Sequence, residues 1–236
     1  MKTRCYLLGF ITVFIGFSAV AQKMPSADAI IARYVKVIGG DKRWAAIKTS
    51  EFHATSTVGN KSLEMLVIKA GAGKYYQSLL GEQISSISIY DSGKGITVEN
   101  EHKRDMKDIV ALDHYQLQAC ILPDMNYIQL QYKRQVLGVE NVNNVPCYKV
   151  LLTSKNGSAN INYYEKKSGL LIMVEKSGVK TLLTDYRFYK GCSIPFTMSA
   201  DLGNGYVMKE KVTEWLVNEK SSVELYDSKK RQFGLE

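Results

Sequence analysis

Residues 147–200 constrain the fold more than any other stretch, because they contain five consecutive β-strand patterns joined by short turns. Each segment is rich in β-branched and aromatic residues and ends at a turn signal. Those signals lie at residues 155–157, 167–169, 177–178 and 189–191. Closely spaced strands of this kind are typical of an antiparallel meander in a barrel or sandwich.

A second meander with similar spacing precedes the first. Side chains of residues 50–58 alternate between two faces, as the period of two in a strand requires. Glycine-containing turns then separate the predicted strands at residues 63–70, 74–80, 83–90 and 95–99. Further strands are predicted at residues 127–139 and 206–217, the latter with Met208, Val212 and Leu216 on one face.

Two helices are predicted before the first meander. Ser26 is a suitable N-cap, Asp28 lies in the first turn, and Gly39 provides a stop after the helix. The apolar residues of this segment recur at helical spacing: Ile30, Ile31, Tyr34, Val35 and Ile38. A shorter helix is expected to begin at Asp41 and to carry Trp44 and Ile47 inward.

The strand pattern breaks in the middle of the chain. Residues 101–108 are highly charged, and residues 109–122 place Leu112, Tyr115 and Ala119 on one helical face before Pro123 ends the segment. The sequence therefore predicts a helical insertion across the sheet. The expected fold class is α+β, with a curled antiparallel sheet of about eleven strands, an N-terminal helix and a central helical lid.

The N-terminus has the features of a secretory signal peptide. Lys2 and Arg4 precede an apolar run that ends at Ala19-Val20-Ala21, which predicts cleavage before Gln22. The alternative is a membrane anchor, for which the apolar run is short. No cysteine follows a small residue at the cleavage site, so lipid modification is not expected. The predicted organisation is a signal peptide at 1–21, one domain at 22–226 and a loose polar tail at 227–236.

The charge and cysteine content exclude some partners. Loss of Lys2 and Arg4 would lower the formal net charge from +8 to +6, and the remaining basic residues are scattered. No nucleic-acid interface is predicted, and a mild attraction to acidic surfaces is expected. Of the remaining cysteines, Cys120, Cys147 and Cys192, one pair could form a disulfide, whereas buried free thiols are the simpler interpretation.

Several motifs together resemble the outer-membrane lipoprotein-sorting (LolA/LolB-like) proteins, in particular the Bacteroidetes type. The similarity extends over nearly the whole mature chain and is mostly one of turn and core residues. It is carried by ADAIIARYVKVIGGDKRWAAIKT near the N-terminus, YDSGKG at 90–95, LPDMNY at 122–127, VLGVENVNNVPCYKV at 136–150, YYEKKSGLL at 163–171 and DYRFYKGCSIPF at 185–196.

The resemblance implies an open half-barrel with a helical lid, located in the periplasm and holding acyl chains on its concave face. A non-catalytic carrier of lipid or lipoprotein acyl chains is therefore expected. A monomer is expected as well, and an envelope protein is a candidate further partner. Carriers of this kind use an arginine on the sheet to hold the lid. Arg134 and Arg187 both lie in predicted strands, and the motifs do not decide between them.

A predicted apolar cavity follows from the lid and the sheet beneath it. Its candidate ligand-binding residues are Leu112, Leu117, Ile121, Leu122 and Met125 on the lid, with Tyr148, Val150, Ile161, Ile172, Leu182 and Met198 on the sheet. The alternative is a solidly packed core, which would favour an envelope sensor or a protein-partner binding module without transport.

The motifs of common enzyme classes do not occur in the sequence. No nucleophile elbow, zinc-protease motif, phosphate-binding loop or dinucleotide fingerprint is present, and no cofactor is predicted. His102 and His114 are candidates for a metal pair near the lid, but solvated surface positions are the simpler interpretation. A non-catalytic function is therefore expected.

Overall fold

The computed structural model describes residues 24–71 and 73–235, so the predicted signal peptide lies outside the described residues. Its helices are α1 (Ala27–Val37), α2 (Asp41–Ala46), α3 (Ile109–Gln118), a short 3₁₀ helix (Pro123–Met125) and α4 (Lys220–Gln232). Among these described helices, none has both the length and the apolar character that crossing a bilayer requires.

Thirteen antiparallel strands form one sheet in the described part of the chain. They are β1 (Thr49–Val58), β2 (Lys61–Ala70), β3 (Lys74–Leu80), β4 (Ser85–Asp91), β5 (Lys94–Glu99), β6 (His102–Asp105), β7 (Lys133–Val142), β8 (Val145–Thr153), β9 (Ala159–Glu165), β10 (Leu171–Lys176), β11 (Val179–Tyr189), β12 (Cys192–Asp201) and β13 (Val207–Val217). The α+β class and the open, curled antiparallel sheet are confirmed, with slightly more strands than expected.

The strand order is β6-β5-β4-β3-β2-β1-β13-β12-β11-β10-β9-β8-β7. Each meander is therefore sequential, and the two halves meet only where β1 pairs with β13. The edge strands β6 and β7 are consecutive in the chain, so the segment between them, residues 106–132, connects opposite edges of the sheet.

The two faces of the sheet are covered by different elements. On the concave face, the main core combines α1, α2 and the end of the insertion with strands of the second half. On the convex face, α4 packs against β2–β5, where Tyr226 is fully buried and donates a hydrogen bond to the Tyr90 carbonyl oxygen at 2.9 Å.

The predicted N-terminal helix is confirmed in detail. The Ser26 hydroxyl accepts a hydrogen bond from the Ala29 amide at 3.2 Å, and Asp28 lies in the first turn. All five residues of its predicted apolar stripe are buried, as are Trp44 and Ile47. The helix therefore forms because one apolar face is removed from water and its first turn is capped.

Three sequence expectations were wrong. Strand β6 was missed because its residues are all exposed and charged or polar, and only backbone pairing with β5 reveals it. Residues 127–132 form turns rather than a strand, because Tyr127 and Tyr132 both enter the core at a spacing that strand alternation does not give. The tail from Asp227, expected to be loose, is the second half of α4 and is fixed by Tyr226 and by the 2.7 Å ion pair of Lys230 with Asp91.

Gly39 provides a test of how α1 is attached to the sheet. Its φ is +129°, and a Cβ there would lie 2.7 Å from the Gly191 carbonyl oxygen in the β11–β12 hairpin. Gly40 also has a positive φ, +85°, but a Cβ there would have no neighbour within 4 Å. We expect Gly40→Ala to lower the free energy of unfolding by about 1–3 kcal/mol through backbone strain.

Gly39→Ala should cost about 1–3 kcal/mol more than Gly40→Ala, because the hairpin must also move. Urea unfolding of both variants measures the difference. Equal losses would mean that the close approach of α1 to the hairpin does not contribute to stability.

Candidate ligand cavity under the lid

A cavity of about 480 Å³ lies between the concave face of the sheet and the helices. The cavity is partly open to solvent, so a ligand could reach it from outside the protein. Its apolar lining comes from both halves of the sheet and from the helices: Phe52, Met65, Val67, Leu183, Ile194, Met198, Val212, Tyr34, Trp44, Ile121 and Leu122. Small-molecule sites typically have about 300–1,000 Å³ and a similar mostly apolar lining.

Residues 109–125, comprising α3 and the 3₁₀ helix, form the lid of this cavity. On the side of the first meander, Leu112, Tyr115 and Ala119 pack against Tyr75 and Tyr90. On the side of the second meander, Leu117 and Leu122 join the main core. The predicted helical insertion across the sheet is therefore confirmed.

Two hydrogen bonds join α3 to the two halves of the sheet. The Ser88 and Tyr115 hydroxyl groups lie 2.9 Å apart, and the Asn156 side-chain amide donates to Asp113 Oδ1 at 2.9 Å. Each contact joins the lid to a different half of the sheet. The lid is thus attached at separate points around the cavity rather than through a continuous packed layer.

Lys69 makes the central attachment of the lid. It extends from β2 into the cavity wall, and its ammonium group donates to the Cys120 carbonyl oxygen at 2.8 Å and the Ile121 carbonyl oxygen at 3.4 Å. Burial lowers the pKa of Lys69 to about 8. These carbonyl groups follow the C-terminus of α3, where a cation also complements the helix dipole.

Asp124 is the buried acid of the lid. Its Oδ1 accepts a hydrogen bond from the Tyr164 hydroxyl at 2.6 Å, and Asn162 donates to the hydroxyl groups of Tyr164 and Tyr127 at 3.0 and 3.3 Å. Burial raises the pKa of Asp124 to about 6, although the Tyr164 hydrogen bond and the charge of Lys69 act in the opposite direction. This network ties the 3₁₀ helix to β9.

Other polar side chains also line the cavity. Glu210 lies on β13, Gln77 on β3, and His114 and Gln118 on α3. Burial raises the pKa of Glu210 and lowers that of His114 to about 4, so His114 is neutral at neutral pH. The cavity lining is therefore mostly apolar and includes a few polar side chains.

The structure brings together only some of the predicted ligand-binding residues. Ile121, Leu122 and Met198 line the cavity. Leu117 and Val150 are buried in the main core, and Tyr148 packs at its edge beside α1. The remaining two lid candidates lie elsewhere: Leu112 packs between α3 and the first meander, and Met125 faces an outer groove.

Ile161, Ile172 and Leu182 were wrongly expected to line the cavity. They belong to a cluster on the opposite, convex face. On β9, the residue that pairs with inward-facing Val150 is Asn162, so Ile161 faces outward. A bulge between residues 171 and 173 turns Ile172 outward, and on β11 Leu183 rather than Leu182 lines the cavity.

Neither predicted arginine holds the lid. Arg134 forms a 2.5 Å ion pair with Asp28 of α1, and Arg187 pairs with its neighbour Asp185 at 2.6 Å. Sequence reasoning missed Lys69 because it looked for arginine. The available signal was a lysine placed among the apolar residues of a strand, in VIKA at 67–70.

The remaining candidates for chemistry are dispersed. His102 is exposed on the edge strand β6, whereas His114 lines the cavity rather than the surface. Within the described ranges, no three His, Cys, Asp or Glu side chains are grouped to bind a metal ion. Cys120, Cys147 and Cys192 are free thiols.

A second depression lies outside the lid, between α1 and residues 124–128. It measures about 610 Å³ and is lined by apolar residues including Ile31, Val35 and Met125, with Arg134 at its rim. Ile128 beside it is 71% exposed. Large exposed apolar side chains next to a groove are a feature of interaction surfaces.

No protein-family model and no curated protein sequence matches the chain. Solved structures do match. A LolA superfamily protein from Nitrosomonas europaea has a TM-score of 0.58 at 8% identity, with coverage of 83% of this chain and 95% of that chain. An outer membrane lipoprotein-sorting protein domain from Vibrio parahaemolyticus has a TM-score of 0.55 at 8% identity, with coverage of 86% and 96%.

A DUF1329 family protein from Desulfovibrio piger has a TM-score of 0.52 at 12% identity, with coverage of 85% of this chain and 100% of that chain. The chain therefore has the fold of these lipoprotein-sorting and DUF1329 proteins. This confirms the fold that the sequence resemblance implied.

Replacing Lys69 should loosen the lid. Lys69→Met keeps the apolar stem but removes both hydrogen bonds to the lid carbonyl oxygens. We expect amide hydrogen exchange across residues 109–125 to become about tenfold faster, which corresponds to the loss of one charge-assisted hydrogen bond. Lys61→Met, at the exposed end of the same strand, is the matched control. Unchanged exchange in Lys69→Met would show that packing alone holds the lid.

Asp124 should make stability depend on pH. Its pKa is higher in the folded protein than the ordinary 3.8, so its contribution to stability is present below that value and is lost as pH rises through about 6. Asp124→Asn stays neutral, so its unfolding free energy relative to the native protein should be higher at about pH 7.5 than at about pH 4. The gain should reach at most about 3 kcal/mol. Urea unfolding at both pH values tests this, and an equal difference at each would contradict it.

Proposed function

We propose that this protein is a non-catalytic periplasmic carrier that binds lipid or lipoprotein acyl chains in the cavity under the lid. The observation that carries this proposal is the mostly apolar cavity of about 480 Å³ between the concave face of the sheet, the N-terminal helices and the lid. The similarity in fold to lipoprotein-sorting structures supports it. The predicted signal peptide supports the periplasmic location.

An acyl chain suits this cavity for energetic reasons. Each methylene group removed from water contributes about 0.8 kcal/mol, so an alkyl chain gains affinity with length until the cavity is full. Met65 and Met198 are flexible, polarizable side chains that adapt to different chains. Binding would therefore depend on apolar burial and would tolerate variation in the acyl group.

The lid gives such a carrier a way to admit and release its ligand. Lys69 and the Asp124 network attach the lid by hydrogen bonds, so opening it would break these bonds together with the core contacts of Leu117 and Leu122. The polar groups of the cavity then have structural tasks: Lys69 and Asp124 hold the lid. No catalytic step is assigned to them.

Native mass spectrometry of the protein purified from a periplasm tests the proposal. A retained lipid or acylated peptide is expected, and its mass would give the cargo class. A ligand-free mass, together with no binding of an added fluorescent fatty-acyl probe, would contradict the carrier function.

Two neighbouring leucines on β11 provide a matched pair of variants. Leu183 lines the cavity, whereas Leu182 packs on the convex face. Leu183→Trp should occupy part of the cavity and weaken binding of an acyl probe by at least about tenfold, whereas Leu182→Trp should leave it unchanged. Probe titration measures the affinities, with thermal unfolding as the check on folding. Equal effects of the two variants would place the probe outside the cavity.

The second candidate function is binding of a protein partner in the envelope. The groove between α1 and residues 124–128, with exposed Ile128, favours it. This function does not need the cavity. A protein that purifies without lipid and ignores acyl probes, but loses a defined partner when Ile128 is replaced by Ser, would support it instead of the carrier function.

A further inference from the structure

Glu210 is the one acidic side chain that β13 contributes to the cavity lining. Across the strand pairs it lies opposite Met198 on β12 and Ser56 on β1. Met198 also lines the cavity, so this part of the sheet face is directed at the ligand space. The other carboxylate in the lining, Asp124, is already bonded to the Tyr164 hydroxyl.

Nothing in the described part of the chain neutralises Glu210. Its carboxylate has neither an ion pair nor a hydrogen bond among the described side chains, although burial raises its pKa. Its neighbour across the β1–β13 pair, Ser56, is fully buried and its hydroxyl has no hydrogen-bond partner among the described residues. The unpaired carboxyl group and the unsatisfied Ser56 hydroxyl lie on the same face of the sheet and could both bond to a ligand that carries hydrogen-bond donors.

The basic groups of the cavity are not available for this purpose. The Lys69 ammonium is committed to the carbonyl oxygens of Cys120 and Ile121. His114 is neutral at neutral pH, because burial lowers its pKa to about 4. The cavity therefore presents the unpaired carboxyl group of Glu210 to its contents, while its lysine is bonded to the lid.

We propose that the cavity is built for an amphiphile whose head group is a protonated amine, seated against the carboxylate of Glu210. The ammonium would donate to the Glu210 carboxylate, and the alkyl chain would lie along the apolar lining near Met65 and Met198. Gln118 lines the same cavity from the lid and offers an amide oxygen as a second acceptor. This inference rests on the proposed lipid-binding function and specifies its ligand class.

The positive net charge of the protein helps to distinguish specific binding of an amine at Glu210 from non-specific electrostatic attraction of an amphiphile. The chain has a formal net charge of +8, so general electrostatics favour anionic amphiphiles over cationic ones. A preference for an amine must therefore originate in the site. One charge-assisted hydrogen bond corresponds to a preference of about tenfold or more.

The test compares three amphiphiles with the same dodecyl chain: dodecylamine, methyl dodecanoate and dodecanoic acid. Each displaces a fluorescent fatty-acyl probe from the full protein at about pH 7.5, below its micelle concentration. We expect dodecylamine to bind at least about tenfold more tightly than the ester, and dodecanoic acid to bind more weakly than the ester. This comparison needs no variant and so does not depend on any variant folding.

Glu210→Gln then tests the residue. It should remove the preference, so that dodecylamine and the ester bind the variant with similar affinities. Glu214→Gln is the matched control, because it removes an exposed carboxylate from the same strand and should preserve the preference.

Each other outcome has a defined meaning. Equal affinities for amine and ester, or a preference for dodecanoic acid, overturn the amine site while leaving the carrier function intact. An amine preference that survives Glu210→Gln also overturns it. Failure of all three amphiphiles, the ester included, contradicts the proposed function itself and the inference with it.

Discussion

The pairing of β1 with β13 determines the arrangement of the whole molecule. Each meander is local, but joining them through the first and last strands places β6 and β7, which are consecutive in the chain, at opposite edges of the sheet. The intervening residues 106–132 must then return across one face, and because the sheet curls, the concave face gives the shorter route. The lid is therefore a consequence of strand order. A chain with the same strands in simple sequential order would have no segment over the cavity.

A crossing segment held at separate points leaves space beneath it. Apolar contacts join α3 to the first meander and Leu117 and Leu122 to the second, while hydrogen bonds of Lys69 and Asp124 hold the residues that follow α3. Lys69 and Tyr164 extend from the sheet to the lid, and their hydrogen bonds keep the lid at a distance from the concave face. Apolar side chains packed between the two would fill this space. The cavity persists because polar supports replace packed side chains at its centre. The same supports can break individually, since each is worth about 0.5–3 kcal/mol.

The sequence predicted those elements whose signal is local. The capped, amphipathic α1 and most of the meander strands follow from periodicity and turn residues, and all were found.

Which strand side chains face inward and which face outward was harder to predict. On β9 the more apolar side, Ile161 and Tyr163, faces outward, because Asn162 and Tyr164 are needed inside for the Asp124 network. On β13, a bulge beside Ala54 places Trp215 rather than Leu216 on the face of Val212. One inserted residue reverses the faces of the rest of a strand, and periodicity cannot locate it. Helix α4 was missed because it is mostly polar and its two fully buried residues, Ser222 and Tyr226, include only one apolar side chain.

These errors share a physical cause that also bears on function. Apolar residues in the sequence predict the part of a cavity lining that provides affinity for an alkyl chain. Burial of methylene groups is non-directional and nearly independent of the head group. Selectivity comes from polar groups in the same cavity, since a ligand that leaves a buried acid unpaired loses more than one that fills slightly less space. Charged residues such as Lys69, Asp124 and Glu210 usually lie on the surface. Strand register directs Lys69 and Glu210 to the cavity, and the crossing segment brings Asp124 there. If the protein binds lipid as proposed, the side chains that select the ligand are therefore polar residues whose composition alone would place them at the surface.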